Sequence, residues 1–372
     1  MSTMGIIFSD IHSWSIAELT AHRTVASIPF AGRYRLVDFA LSNMVNSDIY
    51  KIGIITKSNY QSLVDHIASG KDWDLSRKNG GITILPPYII GGQSGPYKGR
   101  LDALVRIKRF IESANADYVV LSDCDVIFNI DFDDIVAAHR KSCADITAVY
   151  SRCNIARERA QHSIIYGINE SGRITDMLLN PDIEGEQNVS LNSWVMSKDY
   201  LLSQISNAAT HGFTNFFKYM LLENVKYSKI MSFCHEGYNA HIESLSSYVE
   251  ANMDMIDKKN RSGLFYVSGR PIHTKVRDSS PTKYGSNACV KNSFIADGCV
   301  IEGNVENSVL FRGVKISAGS TVKNCILMQD TLIENNASLS WIISDKNVIV
   351  RDNRVLSGDI NYPFYIAKGR MV

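Results

Sequence analysis

Residues 118–125 read Tyr118-Val119-Val120-Leu121-Ser122-Asp123-Cys124-Asp125. An apolar run that ends in carboxylates is typical of a buried strand whose end lies at the edge where open α/β sheets bind ligands. Toward the N-terminus, apolar runs such as Gly5–Phe8 and Lys51–Thr56 alternate with helical patterns such as Asn59–Ile67 and Asp102–Ala114. This alternation predicts an α/β domain with a mostly parallel, Rossmann-like sheet and helices on both faces.

A different pattern begins after about residue 285. Turn pairs such as Glu306-Asn307 and Lys323-Asn324 return every 16 or 17 residues, with two further turns between them. This divided period predicts a left-handed parallel β-helix of the hexapeptide type, with three sides per coil. A β-sandwich with regular turns is the alternative, but it does not require a divided period. Seven aliphatic side chains should fill the axis of the β-helix, namely Val309, Val314, Ile316, Val322, Ile326, Ile333 and Ile342.

The chain of 372 residues is longer than a single hydrophobic core usually supports, so we expect two domains. We place the α/β domain at residues 1–257 and the β-helix at residues 286–372. The segment between them, 258–285, is polar and contains Pro271 and Pro281, which predicts a linker.

The composition argues against several classes of partner and site. Lys and Arg number 39 against 38 Asp and Glu, without long runs of one sign, so neither nucleic acid nor an anionic membrane is an expected partner. The first residues lack the basic region of a signal peptide, and no later apolar run is long enough for a bilayer, so we expect a cytoplasmic protein. The seven cysteines include no C-x-x-C pair, which favours free thiols over disulfides or a zinc site.

Three motifs occur in the same order as in a known enzyme family. They are Ile28-Pro29-Phe30-Ala31-Gly32-Arg33-Tyr34-Arg35-Leu36-Val37-Asp38-Phe39-Ala40-Leu41-Ser42-Asn43, Tyr97-Lys98-Gly99-Arg100-Leu101-Asp102-Ala103 and Ser280-Pro281-Thr282-Lys283-Tyr284. Together with the strand that ends at Asp125 and the β-helix, they make the chain resemble bacterial glucose-1-phosphate adenylyltransferase (ADP-glucose pyrophosphorylase) over nearly its whole length. The resemblance implies a nucleotide-diphospho-sugar transferase-like first domain. In that family, glucose 1-phosphate attacks the α-phosphorus of ATP in the presence of Mg²⁺, which releases pyrophosphate and forms ADP-glucose for glycogen biosynthesis.

The resemblance also identifies catalytic groups that the family has and this sequence lacks. Ser15 stands where the family's glycine-rich loop has an arginine, and Val25 and Asn180 stand where the family has lysines. His241 stands at a metal-binding aspartate, and imidazole is a poor ligand for Mg²⁺. Asp125 alone remains among the main catalytic groups, either as a weak metal ligand or as a strand-end carboxylate without a metal. We therefore expect a vestigial catalytic site.

Other matching positions are implied to keep binding roles. Gly99 and Ser190 match the substrate site and are expected to be its remnants. Arg33 matches a basic residue of the family's sugar-phosphate effector site, so Arg33 and Arg35 are candidates for a regulatory anion site. Arg35 has a second interpretation, in which it pairs structurally with Asp38.

The loss of several catalytic residues on an otherwise intact scaffold resembles the non-catalytic companion subunit of this enzyme. The resemblance implies assembly with a catalytic glucose-1-phosphate adenylyltransferase subunit, in a tetramer-like hetero- or homo-oligomer. This chain would then require no cofactor of its own, because Mg²⁺ serves the family reaction. Two alternatives remain open, an active sugar-phosphate nucleotidylyltransferase with an atypical site and a free-standing sugar-phosphate sensor.

Overall fold

The computed structural model describes residues 2–10, 16–57, 59–87, 95–360 and 362–372. The strands of the first domain are, in chain order, β1 (Thr3–Phe8), β2 (Pro29–Phe30), β3 (Tyr34–Arg35), β4 (Lys51–Ile55), β5 (Gly81–Leu85), β6 (Tyr118–Asp123), β7 (Val126–Phe128), β8 (Ile146–Ile155), β9 (Ile164–Ile168), β10 (Ile174–Leu179), β11 (Gly185–Ser197), β12 (Ile230–Cys234) and β13 (Asn239–His241).

Side chains that cap the N-terminus stabilise the start of two helices of this domain. Asp131 and Ser197 precede two of them, and each side chain accepts a hydrogen bond from a backbone N–H of the first turn. The α-helices are α1 (Ala17–Thr20), α2 (Leu36–Asn46), α3 (Gln61–Ile67), α4 (Arg100–Arg106), α5 (Lys108–Ser113), α6 (Phe132–Ser142), α7 (Arg157–Ala160), α8 (Lys198–His211), α9 (Leu245–Asp254) and α10 (Lys258–Phe265).

One sheet organises the first domain, with the strand order β10-β9-β11-β6-β1-β4-β5 and with β8 and β12 attached through β11. Strands β5, β4, β1 and β6 run parallel, whereas β11 runs antiparallel to β6, β8 and β9. Strand β1 is buried on both faces, because Met4, Ile6 and Phe8 pack in one hydrophobic cluster and Ile7 packs in another. The predicted α/β sheet is confirmed, and its directions become mixed where β11 enters.

The C-terminal domain is a left-handed parallel β-helix with three sheets. Val309 pairs with Ile326, and Ile326 pairs with Ile343, so a coil in this part takes 17 residues. The strands of the three sheets are Lys283–Tyr284, Val300–Ile301, Lys315–Ile316, Leu332–Ile333 and Ile349–Val350; Cys289–Lys291, Asn304–Glu306, Thr321–Lys323, Ser338–Ser340 and Val355–Ser357; and Phe294–Ile295, Val309–Leu310, Ile326–Leu327, Ile342–Ser344 and Phe364–Ile366.

The turn pairs that indicated the period lie at corners of the β-helix. Asn307 and Asn324 have φ angles of 47° and 52°, in the left-handed region that asparagine tolerates better than most residues. Trp341 occupies the next equivalent corner, with a φ of 56°. The asparagines therefore recur because each coil must turn sharply at the same place.

The axis of the β-helix is filled largely as predicted. Val314, Ile316, Val322, Ile333 and Ile342 belong to the cluster of buried residues inside the coils. Two of the seven predicted side chains do not. Val309 and Ile326 are buried against the first domain instead, and their neighbours Leu310 and Leu327 point inward, because adjacent residues of a strand face opposite sides.

The two domains share a hydrophobic cluster, which we call the interdomain core. The proposed linker, 258–285, begins with α10, and Leu264 of that helix is buried in this core. Arg23 donates hydrogen bonds of 2.7 and 2.8 Å to the two carboxylate oxygens of Asp345, so a buried ion pair also joins the domains. The core includes Ile16, Leu19, Phe30 and Tyr248 from the first domain and Val309, Phe311, Ile326, Met328 and Ile343 from the β-helix. The limits 1–257 and 286–372 stay a prediction. Within the segment between them, α10 packs on the first domain and the strand Lys283–Tyr284 pairs with Val300–Ile301 of the β-helix.

Two further expectations concern the whole chain. The seven cysteines are all free thiols in the structure. Within the described ranges, none of the helices has the length and apolar character needed to cross a membrane.

Candidate functional site

A cleft of about 470 Å³ lies beyond the carboxyl end of β4, and we call it the main cleft. It brings together four residues that the sequence analysis singled out, Gly99, Asn180, Ser190 and His241. Gly99 lies close to the backbone of a neighbouring loop, because a Cβ atom there would be 3.0 Å from the carbonyl oxygen of Thr214. The matched positions of the family motifs therefore meet in one place.

The remaining predicted catalytic positions do not line the main cleft. Asp125 is 4% exposed and lies just before β7, and its side chain is not part of the lining. Val25 is 2% exposed and packs in the interdomain core. Ser15 lies outside the described residues.

Arg100 and Asp123 form a buried ion pair at the edge of the main cleft. The Arg100 guanidinium donates from Nε to Asp123 Oδ1 at 3.1 Å and from Nη2 to Asp123 Oδ2. Its carbon atom is 4.6 Å from the centre of the Phe217 ring, which adds a cation–π contact. Arg100 lines the cleft, but its charge is balanced by Asp123 and is not left for a ligand.

Ser190 is held in a network behind the cleft wall. Its hydroxyl lies 2.8 Å from the Tyr166 hydroxyl, which accepts a hydrogen bond of 3.2 Å from Trp194 Nε1. Burial raises the pKa of Tyr166 to about 12. The pairing of β11 shifts register between Ser190 and Trp194, and at this irregularity Asn192 has a φ of 49° and lines the cleft. Such bulges often direct a side chain into a binding site.

Asn180 follows the last residue of β10 and has a φ of 51°. Its backbone N–H donates a 2.9 Å hydrogen bond to the carbonyl oxygen of Ser163. The side chain is exposed on the wall of the main cleft. A neutral amide at this point can hydrogen-bond to a phosphate but cannot neutralise its charge.

His241 ends β13, which pairs with β7 so that His241 lies opposite Val126. Its Nδ1 is 3.4 Å from Glu243 Oε1, whereas its buried Nε2 has no hydrogen-bond partner among the described residues. The backbone carbonyl of Asp125 accepts a 2.7 Å hydrogen bond from Ile242 N–H, so Asp125 and His241 are close along the paired strands.

The side chains around Asp125 and His241 do not fit a Mg²⁺ site. That ion requires a near-octahedral set of oxygen ligands, and the side chain that β13 places near Asp125 is the imidazole of His241. In the part of the chain that the structure describes, no group of three or more His, Cys, Asp or Glu side chains is arranged to hold a metal ion. We therefore assign no metal-dependent step to this cleft.

The main cleft also contains residues that the sequence analysis missed. Lys57, Lys98 and His162 bring basic groups to it, and Glu243 brings a carboxylate. Lys57 could have been found, because it follows a predicted strand at the edge of the sheet where ligands bind. The other three lie on separate loops, and sequence spacing alone does not bring them together.

A second, narrower cleft of about 30 Å³ lies between the first domain, the linker and the β-helix. We call it the basic cleft, because its described lining contains no carboxylate and six basic side chains, those of Arg33, Arg35, Lys275, Arg277, Arg312 and Lys346. A net charge of only +1 for the whole chain makes this concentration of charge a local feature.

Arg33 and Arg35, the two predicted effector residues, both line the basic cleft but have different surroundings. Arg33 is exposed, and its Nη2 donates a 3.1 Å hydrogen bond to the Tyr34 hydroxyl. Arg35 is held by the structure, since its Nη1 donates to the carbonyl oxygen and the hydroxyl of Ser62. Burial lowers the pKa of Arg35 to about 10.

Asp38 stabilises the start of α2 rather than forming an ion pair with the Arg35 side chain. Its Oδ2 accepts a 3.0 Å hydrogen bond from the Arg35 backbone N–H, and its Oδ1 lies 2.6 Å from His66 Nε2. Burial lowers the pKa of His66, so the neutral imidazole donates this hydrogen bond at neutral pH. Arg35 and Asp38 are thus in structural contact, as the second interpretation held, but the contact is made by the backbone N–H of Arg35 and not by its guanidinium.

Comparison with known protein families agrees with this geometry. The nucleotidyl transferase family matches residues 16–258, and the GlmU-like C-terminal hexapeptide family matches residues 278–362. The first match covers the domain that contains the main cleft, and the second covers the coils of the β-helix.

Individual relatives extend over most of the chain. It is 32% identical to the glycogen biosynthesis protein GlgD of Bacillus subtilis (strain 168), over 98% of this chain and 96% of that protein. It is 35% identical to a GlgD of Geobacillus stearothermophilus, over 86% of this chain and 83% of that protein. It is 36% identical to a glucose-1-phosphate adenylyltransferase of the same species, over 83% of this chain and 80% of that protein. The chain therefore belongs to the nucleotidyl transferase family, among the glycogen-biosynthesis proteins that include GlgD and glucose-1-phosphate adenylyltransferase.

Proposed function

We propose that this chain is a regulatory subunit of glucose-1-phosphate adenylyltransferase in the cytoplasm, inactive alone and activating a catalytic homologue on assembly. The observation that carries the proposal is the main cleft itself. It brings Gly99, Asn180, Ser190 and His241 together, and by the resemblance Asn180 and His241 stand where the family has a phosphate-binding lysine and a metal-binding aspartate. An active transferase with an atypical site is the less favoured alternative. Phosphoryl transfer depends on charge neutralisation by cations and metal, which the neutral amide of Asn180 and the imidazole of His241 supply poorly.

We expect assembly to use the β-helix and its junction with the first domain. The β-helix has continuous coils, and the interdomain core and the Arg23–Asp345 ion pair fix it to the first domain. A subunit that binds the active form of its partner more tightly than the inactive form shifts the partner toward activity. A difference of about 1.4 kcal/mol in binding free energy changes that ratio tenfold.

Assembly is tested by co-expressing this chain with a catalytic glucose-1-phosphate adenylyltransferase of the same organism, with an affinity tag on one chain only. The proposal expects both chains to elute together from a size-exclusion column, at a mass above that of either chain alone. Separate elution at micromolar concentration would contradict it and would favour a free-standing sensor.

We also propose that the basic cleft binds a regulatory anion, with Arg33 as a direct ligand and Arg35 as a contributor to the positive potential. Arg312 is paired with Asp297 at 3.0 Å, whereas the other five basic side chains of the cleft repel one another, and an anion relieves that repulsion. Arginine suits this role, because its guanidinium can donate two hydrogen bonds to one phosphate or sulfate group.

We expect Arg33→Gln to weaken binding of inorganic sulfate by about 10-fold or more, since hydrogen bonds to charged groups contribute about 1.5–3 kcal/mol each. Isothermal titration calorimetry of the full chain measures this directly. The matched control is Arg152→Gln, which removes an exposed arginine of the first domain that pairs with Glu186 away from the cleft. Equal sulfate affinity in the wild type and the Arg33→Gln variant would contradict the assignment of Arg33.

A further inference from the structure

Lys346 is one of two basic residues that the β-helix places in the basic cleft, with Arg312, and it follows Asp345 in the chain. The Asp345 carboxylate accepts a 2.7 Å hydrogen bond from the Lys346 backbone N–H but forms no ion pair with the Lys346 side chain. Asp345 accepts two hydrogen bonds from Arg23 Nη2 and one of 2.8 Å from the Tyr365 hydroxyl. Among the described residues, no carboxylate lies within ion-pair distance of Lys346 Nζ.

The other charged and titratable groups around Lys346 come from all three parts of the chain. The first domain contributes Arg23, Arg33, Arg35 and His66, the linker contributes Lys275 and Arg277, and the β-helix contributes Arg312 and Asp345. Asp345 is bound to Arg23, and a second carboxylate, that of Asp297, accepts a 3.0 Å hydrogen bond from Arg312 Nε. Burial, and then the neighbouring charges of Arg35 and Arg23, lower the pKa of Lys346 to about 7.

The remaining titratable neighbour is His66, which also lines the cleft. It already donates to Asp38, and burial lowers its pKa below the ordinary value of 6.5. His66 therefore changes charge at lower pH than Lys346, and the two can be separated by measuring above about pH 7.

We propose that binding of an oxyanion in the basic cleft is coupled to the uptake of one proton by Lys346, so that this chain responds to anion and to pH together. The proposal rests on the regulatory anion site proposed above. A dianion among the arginines supplies the negative charge that Lys346 lacks, and the ammonium form becomes the favoured one. No bond to carbon, phosphorus or sulfur forms, because the step is a protonation of Nζ by solvent.

The coupling is reciprocal. If the anion favours protonation of Lys346, then protonation favours the anion by the same factor. The free protein holds Lys346 largely neutral above about pH 7, and the complex holds it charged. Affinity for an anion of constant charge should therefore be highest below about pH 7 and fall by up to about tenfold per pH unit above it.

Inorganic sulfate is the probe, because its charge is constant over the range used, whereas phosphate itself gains and loses a proton near neutral pH. Calorimetric titration of the full chain at about pH 8, in two buffers with different ionisation enthalpies, gives the number of protons taken up on binding. We expect close to one proton at about pH 8, with a smaller uptake near pH 6.

Two variants assign the proton. Lys346→Arg keeps a permanent cation, and we expect it to bind sulfate without proton uptake and with the same affinity at about pH 7 and pH 8.5. Lys346→Met should bind sulfate more weakly, also without proton uptake. Arg33→Gln is the matched control, in which affinity falls but the proton uptake remains. Thermal unfolding of each variant shows whether it is folded.

The possible results separate the two proposals. Sulfate binding without proton uptake at about pH 8, or a pH dependence that persists in Lys346→Arg, would overturn the coupling and leave the anion site in place. No sulfate binding at any pH would overturn both.

Discussion

Replacing Asp123 by alanine should lower the free energy of unfolding by about 3–5 kcal/mol, because it leaves the guanidinium of Arg100 buried without its counter-ion. The side chains of Arg100 and Asp123 are only 5% and 1% exposed, so water cannot compensate for the lost carboxylate. Three aromatic rings, those of Phe8, Trp194 and Phe217, lie around the guanidinium and offer no hydrogen-bond acceptor of comparable strength. Thermal and urea unfolding of the full chain measure the loss.

Two variants make this prediction specific. Glu186→Ala removes the partner of Arg152 in a pair whose side chains are 66% and 64% exposed, and it should cost no more than about 1 kcal/mol. Removing both buried charges in Arg100→Met with Asp123→Leu should recover most of the stability lost in Asp123→Ala, since an apolar pair of similar volume avoids the burial of charge. A loss of unfolding free energy in Asp123→Ala no larger than that in Glu186→Ala would contradict the predicted contribution of the buried ion pair to stability.

The purified chain alone should form ADP-glucose from ATP and glucose 1-phosphate at least about 10³-fold more slowly than a catalytic relative. A single cation that stabilises a transferring phosphoryl group contributes on the order of 10³–10⁵ in turnover, and by the resemblance this chain is expected to lack more than one of the family's cations. Release of pyrophosphate, followed with a coupled assay, measures the rate.

Restoring one group at a time provides the control for this prediction. Neither Asn180→Lys nor His241→Asp alone should raise turnover appreciably, because catalytic groups that act as a unit are strongly non-additive. The Asn180→Lys variant also places a lysine at a φ of 51°, which disfavours side chains other than asparagine and glycine by about 1 kcal/mol. Turnover by the unaltered chain within tenfold of the catalytic relative would refute the prediction and support the active-enzyme alternative.

The sequence predicted the two folds because each has a periodic signal. Val119, Val120 and Leu121 of the apolar run are buried within the sheet, and the asparagines of the β-helix recur at corners that need a left-handed residue. Val309 and Ile326 were placed on the wrong side of their strands. Each of them is followed in its strand by another aliphatic residue, Leu310 or Leu327, so the sequence does not show which of the two faces the axis. The position of the first domain decides which of the two faces outward.

The sites were predicted less completely, because they depend on contacts between distant segments. Gly99, Asn180, Ser190 and His241 were found through family motifs, and the structure brings them into one cleft. The sequence could not show that Asp123 neutralises Arg100 in that cleft, because the two residues belong to a strand and a helix that meet only in the folded chain. The basic cleft likewise joins three parts of the chain with no common pattern of spacing.

A kinetic comparison tests whether this chain regulates a catalytic partner. The catalytic homologue is purified with and without this chain, and ADP-glucose synthesis is measured at equal concentrations of catalytic subunit. We expect the mixed assembly to have higher turnover or higher substrate affinity than the catalytic subunit alone, while this chain alone stays inactive. A difference of about tenfold corresponds to a coupling free energy of about 1.4 kcal/mol. Identical kinetics in the two preparations, with the chains shown to be assembled, would contradict a regulatory role for this chain.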